Sequence, residues 1–326
     1  MPGYTLEDGK TLKNLLGAQD PDELEQLMPE KVAGRQVEMA IGLGPTGDFD
    51  LEHLKAIHRH LFQDAFEWAG HTRDERFRMS DGSVATEPIM RKPGGKDFEI
   101  GPRAIARIES TFERLEADEY LQGLDRGEFA SKAADVLADL NTAHVFREGN
   151  GRTQRAFMTA LAQQAGHEMR FDVVSRERMS QVSIASHERG DNTGFERMIG
   201  EIIDPDRVAA LSQAQQFLDQ HRQTLDWRDR YMATTEEGRD YTLTMVGRAG
   251  TNFMARSASE ILVGRSSDLP EPLPQSGQSF TMTTAVQQRQ TAEDAAPRER
   301  VYNKQGVDIT GGDEPAQKQD SKAQKM

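Results

Sequence analysis

Residues 144–155, HVFREGNGRTQR, lie between two stretches of helical periodicity and constrain the fold more than any other part of the chain. In residues 129–140 and again in residues 156–165, apolar side chains recur at three- and four-residue spacing, as on one face of a helix. Gly166 follows the second stretch and is suited to end a helix in the left-handed conformation. Glycines at positions 149 and 151 allow a sharp turn between the helices. The sequence therefore predicts a second helix whose free N-terminal amides form an anion site.

Four side chains around this turn are suited to a triphosphate beside a general base. His144 supplies a side chain of the type that can take up a proton near neutral pH, and Glu148 supplies oxygen ligands for a hard divalent cation. Arg152 and Arg155 carry forked cations that neutralise phosphate oxygens. Taken singly, each has an ordinary structural interpretation, as a packed histidine, a loop carboxylate or an arginine on a solvated helix face. Their occurrence together favours the functional interpretation.

These residues resemble the motif of the Fic family of nucleotidyltransferases, H-x-F-x-[D/E]-G-N-G-R-x-x-R. A chance match in a chain of this length has a probability on the order of 10⁻⁸, so the signal is far stronger than that of an ordinary short motif. Val145 stands where many members have proline, at a position that the motif leaves open. The fixed positions are filled by His144, Phe146, Glu148, Gly149, Asn150, Gly151, Arg152 and Arg155.

The resemblance implies a protein adenylyltransferase, which moves AMP from ATP to a Tyr, Thr or Ser hydroxyl of a target protein and releases pyrophosphate. His144 would remove the hydroxyl proton, and Glu148 would hold Mg²⁺ against the α- and β-phosphates. The backbone amides of residues 149–151 would stabilise charge on the α-phosphate, and the two motif arginines would hold the outer phosphates. The nucleotide-binding residues implied by the resemblance are Phe146, Arg147, Gly149, Asn150, Gly151, Arg152 and Arg155.

Other functions stay open from the sequence. Family members also move UMP or phosphocholine with the same base, and variants that lack the second glycine of the motif act as kinases. The intact GNGR of residues 149–152 argues against the kinase variant. A different class of function is a binding module or effector scaffold with a silent Fic site, and the complete motif weighs against it.

The net charge of −14 and the absence of cysteine narrow the classes of protein. Residues 281–326 hold seven basic and seven acidic side chains, so the acidic excess lies in residues 1–280, and no nucleic-acid partner is expected. The lack of cysteine fits a reducing compartment. No basic leader and no run of about 18 apolar residues is present. We expect a cytoplasmic protein without a membrane span, with delivery to another cell by a type IV secretion system as a second expectation from the resemblance.

The periodicity predicts a mainly α fold, a Fic-type helical bundle, preceded by a helical extension. The extension covers residues 1–48, and its helix begins at the Asp20-Pro21-Asp22-Glu23 cap. The catalytic bundle covers residues 49–204. Within it His58 and Trp68 lie on an apolar face, which predicts that both pack in the core.

After the bundle, the sequence predicts a helix, then a set of strands, and then a disordered segment. A polar helix over residues 205–238 connects the bundle to a small β-domain over residues 239–286, where the apolar period changes to two. We expect an antiparallel barrel or sandwich, with an OB-like fold as one form. Fic proteins delivered by type IV secretion systems carry such a domain. Residues 287–326 are poor in apolar side chains and are expected to be disordered.

Two polar stretches are further candidates for the site. In the resembled family a β-hairpin flap covers the active site and registers the target by strand addition, and residues 77–89 are our candidate for it. An ordinary surface hairpin is the alternative, and the following MRKPGGKDFEIGP resembles an added loop. The loop SHERGDNT supplies Asp191 and Asn192 as candidate nucleotide contacts, although such loops usually just connect helices. The target-docking residues of the flap are predicted to be Phe77, Arg78, Met79 and Ser80.

Control of the site is a separate question. Many Fic proteins carry an inhibitory helix, [S/T]-x-x-x-E-[G/N], whose glutamate pairs with the second motif arginine. Outside the catalytic motif, Glu is followed by Gly or Asn only at Glu237-Gly238, and Ala233 stands where the hydroxyl is needed. The neighbouring Thr234 and Thr235 leave an internal brake open, through a small adjustment of a helix. The favoured alternative is a separate small antitoxin-like protein that covers Arg155, or no inhibitor at all.

Overall fold

The computed structural model describes residues 3–91, 95–220 and 226–286. The predicted disordered tail, 287–326, lies outside the described residues. None of the helices in the described ranges is long and apolar enough to span a membrane. The helices are α1 (Pro21–Ala40), α2 (Leu51–Phe62), α3 (Gly101–Ala117), α4 (Arg126–Ala143), α5 (Asn150–Gln164), α6 (Arg176–Arg189), α7 (Thr193–Ile202) and α8 (Pro205–Gln220). The strands are β1 (Phe77–Arg78), β2 (Val84–Ala85), β3 (Tyr231–Thr234), β4 (Asp240–Ala249), β5 (Asn252–Arg256), β6 (Glu260–Arg265) and β7 (Ser279–Thr283).

Side-chain caps fix where the helices begin. At α1, the Glu23 N–H donates to Asp20 Oδ1 at 2.8 Å, as the sequence predicted for this start. At α4, Asp125 accepts from the N–H of Glu128 at 2.9 Å, and the Glu128 carboxylate accepts in return from the Asp125 N–H. Such reciprocal caps satisfy amides that the first helical turn leaves without partners. The start of α4 is therefore set by local sequence, and its length then determines where the chain reaches the motif.

Helix α4 forms the centre of the helical bundle and contacts α3, α5, α6 and α7. The apolar stripe predicted for it is buried throughout, which confirms the helix and its inward face. Each large side chain on this stripe contributes roughly 1.5–3 kcal/mol of stabilisation by leaving water. The stripe consists of Phe129, Ala133, Val136, Leu137 and Leu140. The end of α4, and with it the motif, is thus attached to the packed centre of the bundle.

The C-terminal strands form one five-stranded sheet in the order β3-β6-β5-β4-β7. The predicted strands in the C-terminal region are confirmed, and their sheet is open, with β3 and β7 at the edges, where a closed OB-like barrel was one expectation. Strand β3 pairs in parallel with β6 and the other pairs are antiparallel. The span predicted as a helical connector, 205–238, differs as well, because α8 is followed by β3 inside it. A four-residue strand buried on both faces gives no alternating pattern to read.

A buried ion pair joins the helical bundle to this sheet. Arg178 of α6 donates to the carboxylate of Glu201 on α7 at 2.8 Å, and both side chains are almost entirely buried. The same carboxylate accepts from the Thr234 N–H of β3 at 3.1 Å, and Arg178 also donates to the Met232 carbonyl. Burial alone would raise the pKa of Glu201, but the neighbouring arginines lower it. The bundle and the sheet therefore share a buried polar contact. Removing one partner would leave a buried charge unpaired, which is strongly destabilising.

Candidate active site

His144 ends helix α4 in a left-handed conformation, with φ 47° and ψ 54°. Its N–H still donates to the Leu140 carbonyl at 3.1 Å, so the helix continues up to it and turns there. A residue other than glycine in this conformation costs roughly 1–2 kcal/mol, and its surroundings have to hold it in place. Arg73 contributes to this, because its Nε–H donates to the His144 carbonyl at 2.8 Å. The predicted base is therefore a half-buried, strained residue at the start of the motif loop.

The loop after His144 is braced from inside. The Phe146 N–H donates to Asn150 Oδ1 at 2.9 Å, and Asn150 Nδ2 donates to the Phe146 carbonyl at 2.7 Å. The Phe146 ring stacks on His58 with centroids 3.9 Å apart. Both Phe146 and Asn150 are buried and their side chains hold the loop, so a nucleotide contact of Asn150 would come from its main-chain N–H.

Gly149 places the start of α5 at the end of this loop. It has φ 84° and ψ 2°, a conformation that glycine adopts without strain. A Cβ atom at this position would lie 2.4 Å from two ring atoms of the buried Phe62, so no larger residue fits. Helix α5 then begins at Asn150 with no side-chain cap, and its first amides are free to meet a ligand. With the positive end of the helix dipole, they form the predicted anion site.

Glu148 is held by its backbone while its carboxylate stays accessible. The ring nitrogen Nδ1 of His58 accepts from the Gly70 N–H at 2.8 Å, so the proton lies on Nε2, which donates to the Glu148 carbonyl at 3.0 Å. Burial lowers the pKa of His58 to about 3 and keeps the ring neutral. His58 is a packing histidine, as predicted, and Trp68 is likewise fully buried. The Glu148 side chain is 39% exposed and lies 3.2 Å from Arg152.

A single accessible carboxylate beside an anion site fits Mg²⁺ better than a metal held by protein alone. Mg²⁺ keeps several waters and is usually bound through one or two carboxylates together with substrate phosphates. Among the described residues no group of three or more His, Cys, Asp or Glu side chains is placed to hold a metal. Glu148 therefore fits as a protein ligand of Mg²⁺, in combination with phosphates that the anion site would hold.

The two motif arginines differ in their surroundings. Arg152 pairs with Glu148 and lies over the Phe62 ring, 4.9 Å from its centroid. Arg155, one turn further along α5, is half-buried, and within the described ranges no hydrogen bond or ion pair involves its guanidinium. Burial and the neighbouring Arg152 both lower the pKa of Arg155, but an arginine stays charged at neutral pH all the same. It is a cation suited to an incoming anion.

Arg147 points to the flap. Its Nε lies 2.6 Å from Glu87 Oε2, and both side chains are about a fifth exposed. Glu87 belongs to the chain that leaves the hairpin. Arg147 was predicted to contact the nucleotide. In the structure its side chain instead joins the motif loop to the flap.

Asp191 makes local contacts between α6 and α7, and Asn192 also reaches Asp135 of α4. The Asp191 carboxylate accepts from the N–H and hydroxyl of Thr193, and these hydrogen bonds lower its pKa. Asn192 accepts from the Ser186 hydroxyl at 2.9 Å and donates to Asp135 at 3.1 Å. These contacts fit a helix connection, which the sequence left open as the alternative to a nucleotide contact.

The candidate flap is a short hairpin. Strands β1 and β2 pair antiparallel, with Phe77 opposite Ala85 and Arg78 opposite Val84, and residues 79–83 form the turn. Since the Met79 N–H donates to the Ser83 carbonyl and ladder bonds alternate, Arg78 directs its N–H and carbonyl away from β2. Of the four predicted docking residues, Arg78 and Ser80 are exposed, Phe77 is half-buried against His71, and Met79 is buried. The burial of Met79 leaves its side chain little surface to meet a target.

The segment after the flap contains a contact that the sequence did not indicate. The Phe98 ring stacks on the His144 imidazole with centroids 3.8 Å apart and lies 5.0 Å from the ring of His187. The Lys96 carbonyl faces His187 Nε2 at 2.8 Å, and the Lys96 N–H donates to Glu188. This part of the added loop therefore packs on the predicted base. Since the partners lie about 45 to 90 positions apart in sequence, no local pattern could have revealed them.

The arrangement defines a class of protein: a helical domain in which a histidine precedes a helix N-terminus that is suited to bind an anion. Residues 48–162 match the family model described as Fic/DOC family. A probable protein adenylyltransferase, y4lH of Sinorhizobium fredii, is 37% identical over 158 residues, which cover 48% of this chain and 71% of the relative. The chain belongs to the Fic/DOC family.

Other relatives resemble a larger share of the chain. A protein adenylyltransferase of Bartonella henselae is 32% identical over 268 residues, or 82% of this chain and 49% of the relative. The protein adenylyltransferase VbhT of Bartonella schoenbuchensis is 34% identical over 184 residues, or 56% of this chain and 35% of the relative. The chain thus spans about half the length, or less, of these two relatives.

Two solved structures resemble the fold. The type IV secretion system effector protein BepA has a TM-score of 0.80 at 30% identity, with 87% of this chain and 97% of that chain covered. The BepC protein of Bartonella tribocorum, with bound AMPPNP, has a TM-score of 0.59 at 37% identity and covers 62% of this chain and 96% of its own. The share of this chain that resembles BepA is larger than residues 48–162, which match the family model.

Proposed function

We propose that this chain is a protein adenylyltransferase, which transfers AMP from ATP to a Tyr, Thr or Ser hydroxyl of another protein. The observation that carries the proposal is the placement of His144 directly before the anion site at the start of α5. Relatives named as protein adenylyltransferases and a related structure with bound AMPPNP support ATP as the nucleotide. The intact glycine pair around Asn150 favours AMP transfer over the kinase reaction of variant motifs.

In the reaction, His144 accepts the proton of the target hydroxyl as its oxygen attacks the α-phosphorus. A new bond forms between this oxygen and phosphorus, the bond from phosphorus to the bridging oxygen breaks, and pyrophosphate leaves in line with the attack. The first amides of α5 stabilise the charge that develops on the α-phosphate. Glu148 would hold Mg²⁺, which neutralises phosphate charge when bound.

The outer phosphates are assigned to the arginines of α5. Arg155 has a half-buried guanidinium that carries no ion pair within the described residues, and forked contacts to phosphate oxygens are charge-assisted. Arg152 lies between the loop and α1, where it pairs with Glu148. The pairing keeps one arginine beside the metal carboxylate and leaves the other for the γ-phosphate.

We assign the binding of the target protein to the flap. Arg78 directs its main-chain N–H and carbonyl away from β2, so an extended target segment can add there as a further strand. Main-chain pairing aligns the segment without reading much of its sequence, and it brings a hydroxyl side chain into register with the base. Delivery by a type IV secretion system is proposed from the similarity to the effector BepA.

Control by a separate small protein is also part of the proposal. The span that would have carried an internal brake, residues 233–238, is the end of strand β3 and a turn, so it offers no helix to place Glu237 at Arg155. A glutamate supplied in trans would form an ion pair with Arg155 and compete with the γ-phosphate. An antitoxin-like inhibitor of this kind fits a site whose arginine is otherwise available.

The function is tested by incubating the purified chain with a host cell lysate and ATP labelled at either the α- or the γ-phosphorus. The proposal expects label on protein from the α-position only. Label from the γ-position only would show a kinase. No label from either, with ATP bound, would favour the scaffold, and label from a UTP or CDP-choline donor in place of ATP would assign another transferred group.

A further inference from the structure

Arg73 is a fully buried arginine whose side-chain hydrogen bonds, within the part of the chain that the structure describes, all go to main-chain carbonyl groups. Its side chain is 0% exposed, and it lies in the charged loop TRDE between α2 and the hairpin. Within the described ranges, no carboxylate forms an ion pair with its guanidinium. The carbonyl oxygens that accept from it belong to Ala143, His144, Glu87, Pro88 and Glu99.

These carbonyls come from three segments that meet at the site. Ala143 and His144 form the C-terminal end of α4, where unpaired carbonyls carry the negative end of the helix dipole. Glu87 and Pro88 lie where the chain leaves the hairpin, and Glu99 lies before α3. The main chain of Arg73 adds two bonds, since its N–H donates to Val145 and its carbonyl accepts from Glu87.

Only a guanidinium can make this set of contacts. It offers five donors in a fixed plane, whereas a lysine offers three on one rotating nitrogen, and the neutral polar side chains offer fewer. A buried cation without a carboxylate partner is costly, and burial lowers the pKa of Arg73 accordingly. The carbonyl contacts offset this cost only while all three segments keep their places. The burial of Arg73 therefore requires these three segments to keep their positions, and the segments in turn are held by Arg73.

We propose that Arg73 is the positioning residue of this site, which holds the base His144 and the exit of the flap in one register. It bonds to the left-handed turn of His144 and to the flap through a single rigid group. Because Arg73 is fully buried, it is not placed to touch nucleotide or target and acts through His144 and the flap. It sets where the hydroxyl delivered by the flap meets the imidazole, and this role rests on the proposed function.

The test replaces Arg73 with lysine, which keeps the charge and loses the forked geometry. The matched control is Arg178→Lys, because Arg178 is equally buried but bonds to Glu201, away from the motif. Both variants are compared with wild type by thermal unfolding, ATP calorimetry, and kcat and KM for AMP transfer. A misplacement of about 1 Å costs up to about 100-fold in rate, so we expect kcat of Arg73→Lys to fall about 10- to 100-fold with its ATP affinity within about 3-fold.

A second measurement does not depend on transfer. NMR spectra of histidine-labelled protein, with the His144 signal assigned by its loss in His144→Ala, report whether the ring has kept one environment. We expect this signal to shift or broaden in Arg73→Lys and to stay unchanged in Arg178→Lys. Unchanged kcat or an unchanged His144 signal in Arg73→Lys would overturn the proposal, as would equal losses of kcat in both variants. If wild type transfers no AMP, the proposed function fails, while the NMR comparison still decides the positioning role.

Discussion

The motif loop, residues 144–152, and the flap segment, residues 77–91 and 95–99, meet at the same site but are held in different ways. The loop is fixed by buried groups, since Asn150 braces it from inside and His58 holds the Glu148 carbonyl. In the flap segment, the tip of the hairpin is held at the surface by the ion pair between Lys13 and the half-exposed Asp81, while the exit of the hairpin is held by the buried Arg73. A loop fixed by buried groups suits a nucleotide, whose phosphates are always the same. A hairpin tip held at the surface suits protein targets that differ in sequence.

The largest effect is expected from Gly149→Ala, which disturbs the motif loop. The added Cβ would lie 2.4 Å from the Phe62 ring at φ +84°, so steric overlap adds to backbone strain. Together these should lower the free energy of unfolding by about 2–5 kcal/mol, measured by chemical denaturation. Gly166→Ala is the control, because it has φ +86° and no atom within 4 Å. Equal losses in both variants would show that the Phe62 contact is unimportant.

The next effect concerns the nucleotide held by the motif loop. Arg155→Ala removes a charge-assisted fork, so ATP should bind about 10- to 100-fold more weakly while AMP changes by less than about 3-fold. Calorimetry with the two nucleotides gives the difference directly. Arg103→Ala, an exposed arginine on α3, controls for the loss of one positive charge. Similar losses for ATP and AMP would make Arg155 a structural residue.

A smaller effect tests the flap. Arg78→Pro removes one main-chain donor on the outer side of β1, where an edge strand tolerates proline. Loss of one hydrogen bond to a target should lower the rate of AMP labelling about 10-fold, with ATP affinity unchanged. Arg78→Ala, which keeps the N–H, should label the target at nearly the wild-type rate. If alanine lowers labelling as much as proline does, the side chain rather than the main chain recognises the target.

The smallest effect is expected at Glu237, the residue that would carry an internal brake. Since residues 231–234 are a strand and not a helix, Glu237→Gly should leave AMP transfer within about 2-fold of wild type. The initial rate of labelling from α-labelled ATP measures this. A large rise in the variant would show that the brake is internal, and that control does not depend on a separate protein.

The motif loop could be predicted from the sequence because its signals are local. The stripe of α4, the turn at Gly149 and the stop at Gly166 each follow from spacing or from what one residue type can adopt. The family resemblance placed Phe146 and Asn150 at the nucleotide, and it did not indicate that their side chains brace the loop. Their inward bracing depends on a fold in which the side chain of Asn150 reaches back to the Phe146 backbone.

The contacts around the flap segment could not be predicted, because they are tertiary. In the sequence, Arg73 is one more charged residue in a polar loop. It is buried because three segments that are distant in sequence converge on it and offer it their carbonyl groups. Phe98 stacks on His144 from an added loop that has no periodic pattern. Strand β3 was not predicted for a similar reason. Its four residues pair with β6, which lies far along the chain.

The claim that this site transfers AMP through His144 is tested most directly by measuring two quantities on His144→Ala beside wild type. Losing a positioned base should lower AMP transfer from α-labelled ATP by about 10²- to 10⁴-fold. ATP binding by calorimetry should stay near the wild-type value, because the loop, α5 and Arg155 are untouched. Loss of transfer with binding retained is the predicted result. Equal transfer by the two proteins would contradict the account, since the hydroxyl proton would then go to another group.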